Sequence, residues 1–251
     1  MYDCHVHSNF SKDSMTSIDE MCLKAIDLNL CGICFTEHMD SIHYQYMNDR
    51  SYIEKFLSEI KQVKARYYGQ LEVLSGFEFS EPHKNMAFFQ ALNQYQFDYR
   101  MCSIHHGHNN VFPNREVNYN KFIEGYFEEV EKTLLEADFD TLGHIDLPRR
   151  YFSRFPANAK YLHKIFYIMV AKDVALEVNT STFGGDFADD FLDLSYVKIY
   201  KACGGKRIVL GSDAHSPSRL AEGFYKIVNA LPTGLQVGFI SNTKFSSIFE
   251  T

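Results

Sequence analysis

The sequence predicts an α/β fold: a distorted (β/α)7 TIM-like barrel with its chemistry at the C-terminal ends of the strands. Three observations carry this. Apolar runs alternate with segments of helical period, the pattern of parallel strands joined by helical crossovers. Seven such runs, at about 2–7, 32–37, 71–78, 99–105, 140–144, 174–179 and 206–212, each carry His, Asp or Glu at or near their end. The length, 251 residues, suits a barrel built as one domain, expected over 1–251.

Each element has a local reason. Tyr2-Asp3-Cys4-His5-Val6-His7 alternates, and alternation on a strand places Asp3, His5 and His7 on one face. Ser17-Ile18-Asp19-Glu20 is a capping-box pattern that opens a helix with Met21, Cys22, Ala25 and Ile26 on one side. The second run ends in Thr36-Glu37-His38, and Ser51-Tyr52-Ile53-Glu54 repeats the capping pattern before Phe56, Leu57, Ile60 and Val63. The third and fourth runs end in Gly76-Phe77-Glu78 and Ser103-Ile104-His105. A long helix over about 119–137 follows, with Phe122, Ile123, Tyr126, Phe127, Val130 and Leu134. Leu142-Gly143-His144 closes the fifth run and Glu177-Val178-Asn179 the sixth, with helices expected over about 158–171 and 189–202. The seventh leads into Gly211-Ser212-Asp213-Ala214-His215. Loops over about 39–50, 106–118, 145–157 and 180–188 follow these strand ends and are expected on the same face.

Composition narrows the class. Hydrophobic residues make up 45% and charged residues 23%, ordinary for a soluble globular chain. With no run of about 18 apolar residues, no membrane span is expected. The chain opens directly in a strand, so no cleaved signal is expected and a cytoplasmic location is. A net charge of −7 argues against a nucleic-acid partner, which needs a basic footprint, although bound divalent cations would offset part of it. Cys31-Gly32-Ile33-Cys34 matches C-x-x-C but leads into a strand rather than a helix N-terminus, so buried structural cysteine is expected.

Donors at successive strand ends are how a barrel assembles a polynuclear metal centre from distant sequence. His5 and His7 share a face and can reach one cation. Gly211 and Ser212 allow a sharp exit from the last strand, so Asp213 and His215 can face different metals. His38 is the better donor of its pair, and Glu37 is expected to fix an imidazole. Glu78 is the natural bridge, because a two-metal centre needs a group spanning about 3.5–4 Å. His105, first after its apolar run, is preferred to His106 and His108, which are expected in a substrate-lining loop. His144 completes the set. His43, His83 and His163 lack this context and read as surface or core histidines. Glu177 and Asn179 read as substrate contacts or as support for the donors. Mixed imidazole and carboxylate sites accept zinc, manganese or iron.

In order, the D-x-H-x-H-S opening, T-E-H, G-x-E, S-x-H, G-H-x-D, E-x-N-T and G-S-D-A-H span nearly the whole chain. This series resembles the PHP (polymerase and histidinol phosphatase) family, histidinol-phosphate phosphatase type. The resemblance implies a distorted (β/α)7 barrel with three divalent metal ions. The activity it implies is hydrolysis of L-histidinol phosphate to L-histidinol and phosphate in histidine biosynthesis. It assigns His5, His7, Glu78 and Asp213 to one metal, and Glu78, His105 and His144 to a second. Asp13, His38 and His215 take the third; the residues alone would make Asp13 a turn or helix-cap residue.

The chemistry agrees. A phosphate monoester dianion repels nucleophiles and has a poor leaving group; clustered cations neutralise its oxygens and acidify water. Glu78, Asp213 and His215 are the expected catalytic groups, with Asp213 or His215 managing the proton. Phosphate recognition adds a cation, best an Arg. Arg150, with Arg149 beside it, is expected to contact the phosphate, and Arg219 is a weaker candidate. Ser181 stands where similar chains often carry an Arg, so one clamp is absent there or supplied elsewhere. Asp40, His106 and Asn109, on loops at the mouth, are candidates for the aminoalcohol head group. Alternatives are a PHP phosphoesterase acting on nucleotides or other small phosphate esters, and a noncatalytic PHP-like scaffold.

Overall fold

The computed structural model describes residues 1–39, 50–113, 116–152, 159–182 and 194–251, and all seven expected strands are present. They are β1 (Tyr2–Val6), β2 (Gly32–His38), β3 (Glu72–Ser80), β4 (Tyr99–Ser103), β5 (Thr141–Leu142), β6 (Ala175–Asn179) and β7 (Arg207–Gly211), neighbours in sequence order and parallel throughout. Helices α1 (Ile18–Asp27), α2 (Arg50–Arg66), α3 (Met86–Ala91), α4 (Tyr119–Glu136), α5 (Ala159–Ala171), α6 (Ser195–Ala202) and α7 (Phe224–Ala230) separate them and follow the last.

The sheet curls until β1 meets β7 at the mouth. His7 N donates to the Ala214 carbonyl at 3.0 Å, and Asp213 N donates to the His5 carbonyl at 2.8 Å. At the opposite end β7 pairs instead with β8 (Gln236–Ser241), which continues into antiparallel β9 (Lys244–Glu250). This hairpin was not expected from the sequence. Its turn, Asn242-Thr243, holds φ of 50° and 60°, the twist hairpins favour, but it lacks the glycine that usually signals such a turn.

Two apolar clusters hold the layers together. Cys4, Cys34, Leu74, Met101, Val209 and Ile240, from six strands, fill the barrel interior. A larger cluster packs the helices on the outside, where Ile18, Met21, Phe56, Val130 and Phe166 are fully buried or nearly so. Cys34 belongs to the interior and burial pushes its thiol well above the usual range, which fits a structural cysteine.

The capping box at Ser17 and Glu20 forms as expected, with Glu20 N donating to Ser17 Oγ and Ser17 N to Glu20 Oε2. The second expected box does not. α2 begins at Arg50, which puts Ser51 inside the helix, and Glu54 instead accepts from Arg50 Nε at 2.9 Å one turn away. Of the expected helix 189–202, residues 195–202 are helical and 189–193 lie outside the described residues. His83 proves structural, bridging Glu129 Oε2 (2.8 Å) and Thr133 Oγ1 (3.0 Å) on α4.

Candidate metal and phosphate site

Parallel pairing brings the strand ends to one height. His38, the last residue of β2, is in register with Glu78 on β3. His5 sits on β1, His7 just past it, His105 and His144 two residues beyond β4 and β5, and Asp213 and His215 just after β7. Asp13 arrives from the turn ahead of α1. Tyr126 of α4 holds the exit of β5, its hydroxyl donating to the Ile145 carbonyl at 3.1 Å.

Glu78 lies at the centre, 1% exposed. Its Oε2 faces His5 Nε2 (3.4 Å), His7 Nε2 (3.5 Å) and His38 Nδ1 (3.2 Å); its Oε1 faces His144 Nε2 (2.8 Å) and His105 Nε2 (3.3 Å). Asp213 Oδ1 adds contacts of 3.4 Å to His5 and 3.2 Å to His7. Asp13 Oδ2 lies 3.5 Å from His38 Nε2 and 3.3 Å from His215 Nε2. All nine sequence-predicted donors therefore converge. Seven of them, all but Asp13 and His105, form overlapping groups with donor spacings suited to a cation: His5, His7 and Asp213; His5, Glu78 and His144; His7, His38 and His215.

The orientation of the rings tests whether a metal fits. His5 Nδ1 lies 2.7 Å from Glu177 Oε1, an acceptor, so Nδ1 carries the proton and Nε2 the lone pair. Ser11 Oγ donates to Glu37, which leaves it an acceptor for His7 Nδ1–H at 3.0 Å, and the His7 lone pair also falls on Nε2. His215 Nδ1 donates to the Asp213 carbonyl at 2.9 Å, with the same result. The lone pairs of His5 and His7 thus face each other at 3.0 Å, among two carboxylate oxygens. Such a set repels itself unless an electrophile lies between. Donors about 2.0–2.1 Å from a tetrahedral ion sit roughly 3.3 Å from one another, close to these spacings. The residues fit divalent metal ions.

Where no ion lies between them, protons must take its place, and the cluster shares them unevenly. Burial works against ionisation of Glu78, yet His5, His38 and His105 hold its carboxyl well below the usual range. Burial likewise opposes His5, but Glu177, Asp213 and Glu78 hold it well above the ordinary value. His7, buried and beside His215 and His38, is pushed down to about 3. Neighbouring imidazoles are driven apart because the cluster has carboxylates for some protons but not for all.

Several expectations need correction. Asp3 does not share the donor cluster. The β1–β2 register shifts between Asp3 and Val6, which breaks the alternation. Asp3 instead accepts from Ser212 N (3.0 Å) and Ala221 N (2.9 Å), fastening the exit of β7 to β1. Glu177 is fully buried beneath the donors, so of its two expected roles it has support and not substrate contact. Ser181 turns its N–H and hydroxyl to Asn179 Oδ1 (2.9 and 2.6 Å) rather than to the cavity, and Arg219 Nη2 donates to its carbonyl at 2.8 Å. Arg149 lies 3.9 Å from Asp146, and among the described residues the cavity lining includes Arg150 but not Arg149. Asn110, not Asn109, reaches the cavity. Asp40 and His43 lie outside the described residues.

Above the donors is a cavity of about 540 Å³. Arg150 enters it, with Nη2 donating to Asp213 Oδ2 at 2.5 Å and to Asn179 Oδ1 at 3.4 Å. His106 also lines it, with Nδ1 3.3 Å from both Glu81 oxygens. Glu81 was missed by the sequence analysis. It also accepts the backbone N–H groups of His105 (2.7 Å) and His106 (2.8 Å), and its only sequence signal is a carboxylate soon after Glu78. Phe112, Leu147 and Tyr151, also unforeseen, line the cavity as well. A ring of donors, a guanidinium and a cavity can hold a small anionic ester.

Known proteins resemble this chain in sequence and in fold. The PHP domain family matches residues 3–181. The chain is 28% identical over 234 residues to a probable histidinol-phosphatase of Thermotoga maritima, covering 92% of this chain and 91% of that one. It is 28% identical over 237 residues to the histidinol-phosphatase of Lactococcus lactis subsp. lactis, covering 86% and 85%. The crystal structure of histidinol phosphate phosphatase (HisK) from L. lactis, complexed with zinc, L-histidinol and phosphate, has the same fold. Its TM-score is 0.83 at 23% sequence identity, over 98% of both chains.

Proposed function

Because this chain belongs to the PHP domain family, we propose that it is a metal-dependent phosphomonoesterase that hydrolyses L-histidinol phosphate to L-histidinol and phosphate. One observation carries the reading: a buried carboxylate, Glu78, with one oxygen on His5, His7 and His38 and the other on His105 and His144. Structural centres do not need such a group beneath an open cavity, whereas phosphoryl transfer does. The names of the relatives supply the substrate.

Three divalent ions, zinc, manganese or iron, would be held by His5, His7, Glu78 and Asp213; by Glu78, His105 and His144; and by Asp13, His38 and His215. When bound they would supply Lewis-acid charge for the phosphate oxygens and acidify water towards neutral pH. The protein's own groups do the rest. Arg150 keeps guanidinium N–H groups beyond those given to Asp213 and Asn179, and these pair with phosphate oxygens. Glu78 and Asp213 have both oxygens engaged and act by fixing charge. Hydrolysis forms one P–O bond to water and breaks the ester P–O bond, and the departing alkoxide takes up one proton. His215 lines the cavity, but with Nδ1 on the Asp213 carbonyl and Nε2 towards the ion it would hold, neither nitrogen is free to pass that proton, which the attacking water releases.

The test is turnover of histidinol phosphate against nucleoside monophosphates by metal-loaded and chelated protein. We expect phosphate release only with metal, and kcat/KM at least about tenfold higher for histidinol phosphate, the equivalent of roughly 1.4 kcal/mol. The reverse preference would move the substrate to nucleotides. Silence towards every ester with metal bound would leave a noncatalytic scaffold. Elemental analysis should give three ions per chain and lose one in Asp13→Ala; an unchanged count would remove Asp13 from the set.

A further inference from the structure

We propose that Glu81 is a positioning residue that presents His105 to the ion assigned to Glu78, His105 and His144. The proposal rests on the metal reading above and gives a role to a buried carboxylate that the reading leaves unused.

Glu81 holds its place against two opposing effects. Its backbone is left-handed, with φ of 43° and ψ of 59°, a conformation that residues with a Cβ rarely adopt. Pro82 follows it, and a proline favours extended backbone in the residue ahead of it. Its side chain is also only 1% exposed, where an ionised carboxyl loses its hydration. A glycine would relieve both. Glu81 stands just ahead of the 3-10 turn Pro82–Lys84, yet its side chain makes no cap bond to that turn. A strained residue whose carboxylate is turned away from its own turn has its task elsewhere.

That task lies at the exit of the neighbouring strand. Glu81 Oε1 accepts the backbone N–H of His105 at 2.7 Å and that of His106 at 2.8 Å. Successive backbone N–H groups aimed at one point form an anion-binding concavity. An ionised acceptor makes such bonds shorter and stronger than a neutral one. Glu81 N adds a third tie, donating to the Ser103 carbonyl at 3.1 Å. Together these bonds fix the direction of the chain where β4 ends, and with it the point from which the His105 side chain departs. Ser80, next to Glu81, sets the ring itself: its Oγ lies 3.0 Å from His105 Nδ1. His105 Nε2 then faces Glu78 Oε1 at 3.3 Å and His144 Nε2 at 3.4 Å.

The segment that carries Glu81 is anchored in turn. Lys84 N donates to the Glu81 carbonyl at 2.9 Å. Lys84 Nζ lies 3.0 Å from Glu129 Oε2 on α4 and donates to Asn110 Oδ1 at 2.8 Å, further along the loop that His105 begins.

Chelator competition with elemental counting tests this, because it reads the ions stepwise and needs no turnover. Glu81→Gly suits the left-handed backbone, so it removes the carboxylate without adding strain. One ion should then bind about 10- to 100-fold more weakly than in the parent, while the others keep their affinities. Glu81→Gln keeps an oxygen able to take both N–H groups and should restore most of that loss; Glu81→Asp, one methylene short, should not. His105→Ala should weaken the same step, and adding Glu81→Gly to it should change that affinity by less than about twofold, because Glu81 acts through His105. Ions weakened all alike, as a general loss of structure would produce, or not at all, would overturn the proposal and leave the metal-dependent phosphatase standing. So would additive effects in the double variant. If Glu81→Gly does not fold, equal affinities in the Gln and Asp variants overturn it. A parent that binds no divalent ion removes the metal reading, and the proposal with it.

Discussion

Glu177 does the most for its exposure, which is nil. Its Oε1 accepts His5 Nδ1–H, and its Oε2 accepts the backbone N–H of His144 at 2.5 Å, so one carboxylate orients donors from two strands. Gly211 makes room for it: a Cβ there would lie 2.0 Å from Glu177 Oε1 and 2.6 Å from His5 Cβ. Asp213, two residues on, holds φ of 54°, unusual for a residue with a side chain, because its N–H is pinned to the His5 carbonyl. Glu177→Gln turns one acceptor into a donor facing a donor. Metal affinity, read by competition with a chelator, should fall about 10- to 100-fold, as removal of a metal ligand's partner typically does. Unchanged affinity would mean that His5 is oriented by something else. The donor residues themselves were legible in the sequence, since His and carboxylates at strand ends have few other uses. Their supporters were less so. Ser11 and Glu81 are ordinary polar residues until folding places a particular imidazole beside them.

At the scale of elements, the 3-10 turn Pro82–Lys84 is tied to α4 through Glu129, which is 2% exposed. His83, Lys84 and Lys132 approach its carboxylate at 2.8, 3.0 and 2.9 Å. Burial opposes ionisation, but these three partners hold the carboxyl well below the usual range. A folded-state value below the unfolded one, about 4.3 for Glu, means that the unfolded chain binds the extra proton. The stabilisation is therefore present above that pH and lost as pH falls towards the folded value. Glu129→Gln should lower stability at pH 7 by roughly 2 kcal/mol. Urea unfolding between pH 6 and 3 should also show a shallower loss than in the parent; an identical pH slope would remove Glu129 from the acid response. The strands and the first helix cap were readable because apolar period and capping pattern are local. The expected cap at Ser51 failed because α2 already includes Arg50 and Ser51, and a capping pattern does not fix its own helix boundary. The β8–β9 hairpin went unread because its turn has no glycine and β9 is largely exposed.

For the whole molecule, the closure of β1 on β7 gathers the nine donors, and burying them together without a cation opposes folding. A divalent ion binding only the folded chain at 100 times its Kd adds about 2.7 kcal/mol. At roughly 2–4 °C per kcal/mol for a chain of this size, Tm should rise by about 5–10 °C with zinc or manganese and fall again with chelator. A Tm indifferent to both would mean that the cluster holds no ion. The sequence by itself determined the barrel class, the order of the strands and eight of the nine side chains that converge, because period and residue type are written locally; Asp13 and the hydrolytic chemistry came from the family resemblance. Only the tertiary structure decided that Asp3 fastens strands instead of binding metal, that Glu177 is buried behind His5, and that Arg150 lines one cavity with the donors. Those assignments depend on a register shift, a ring closure and loops meeting across the mouth. Each is a relation between segments far apart in the chain, and no local pattern encodes it.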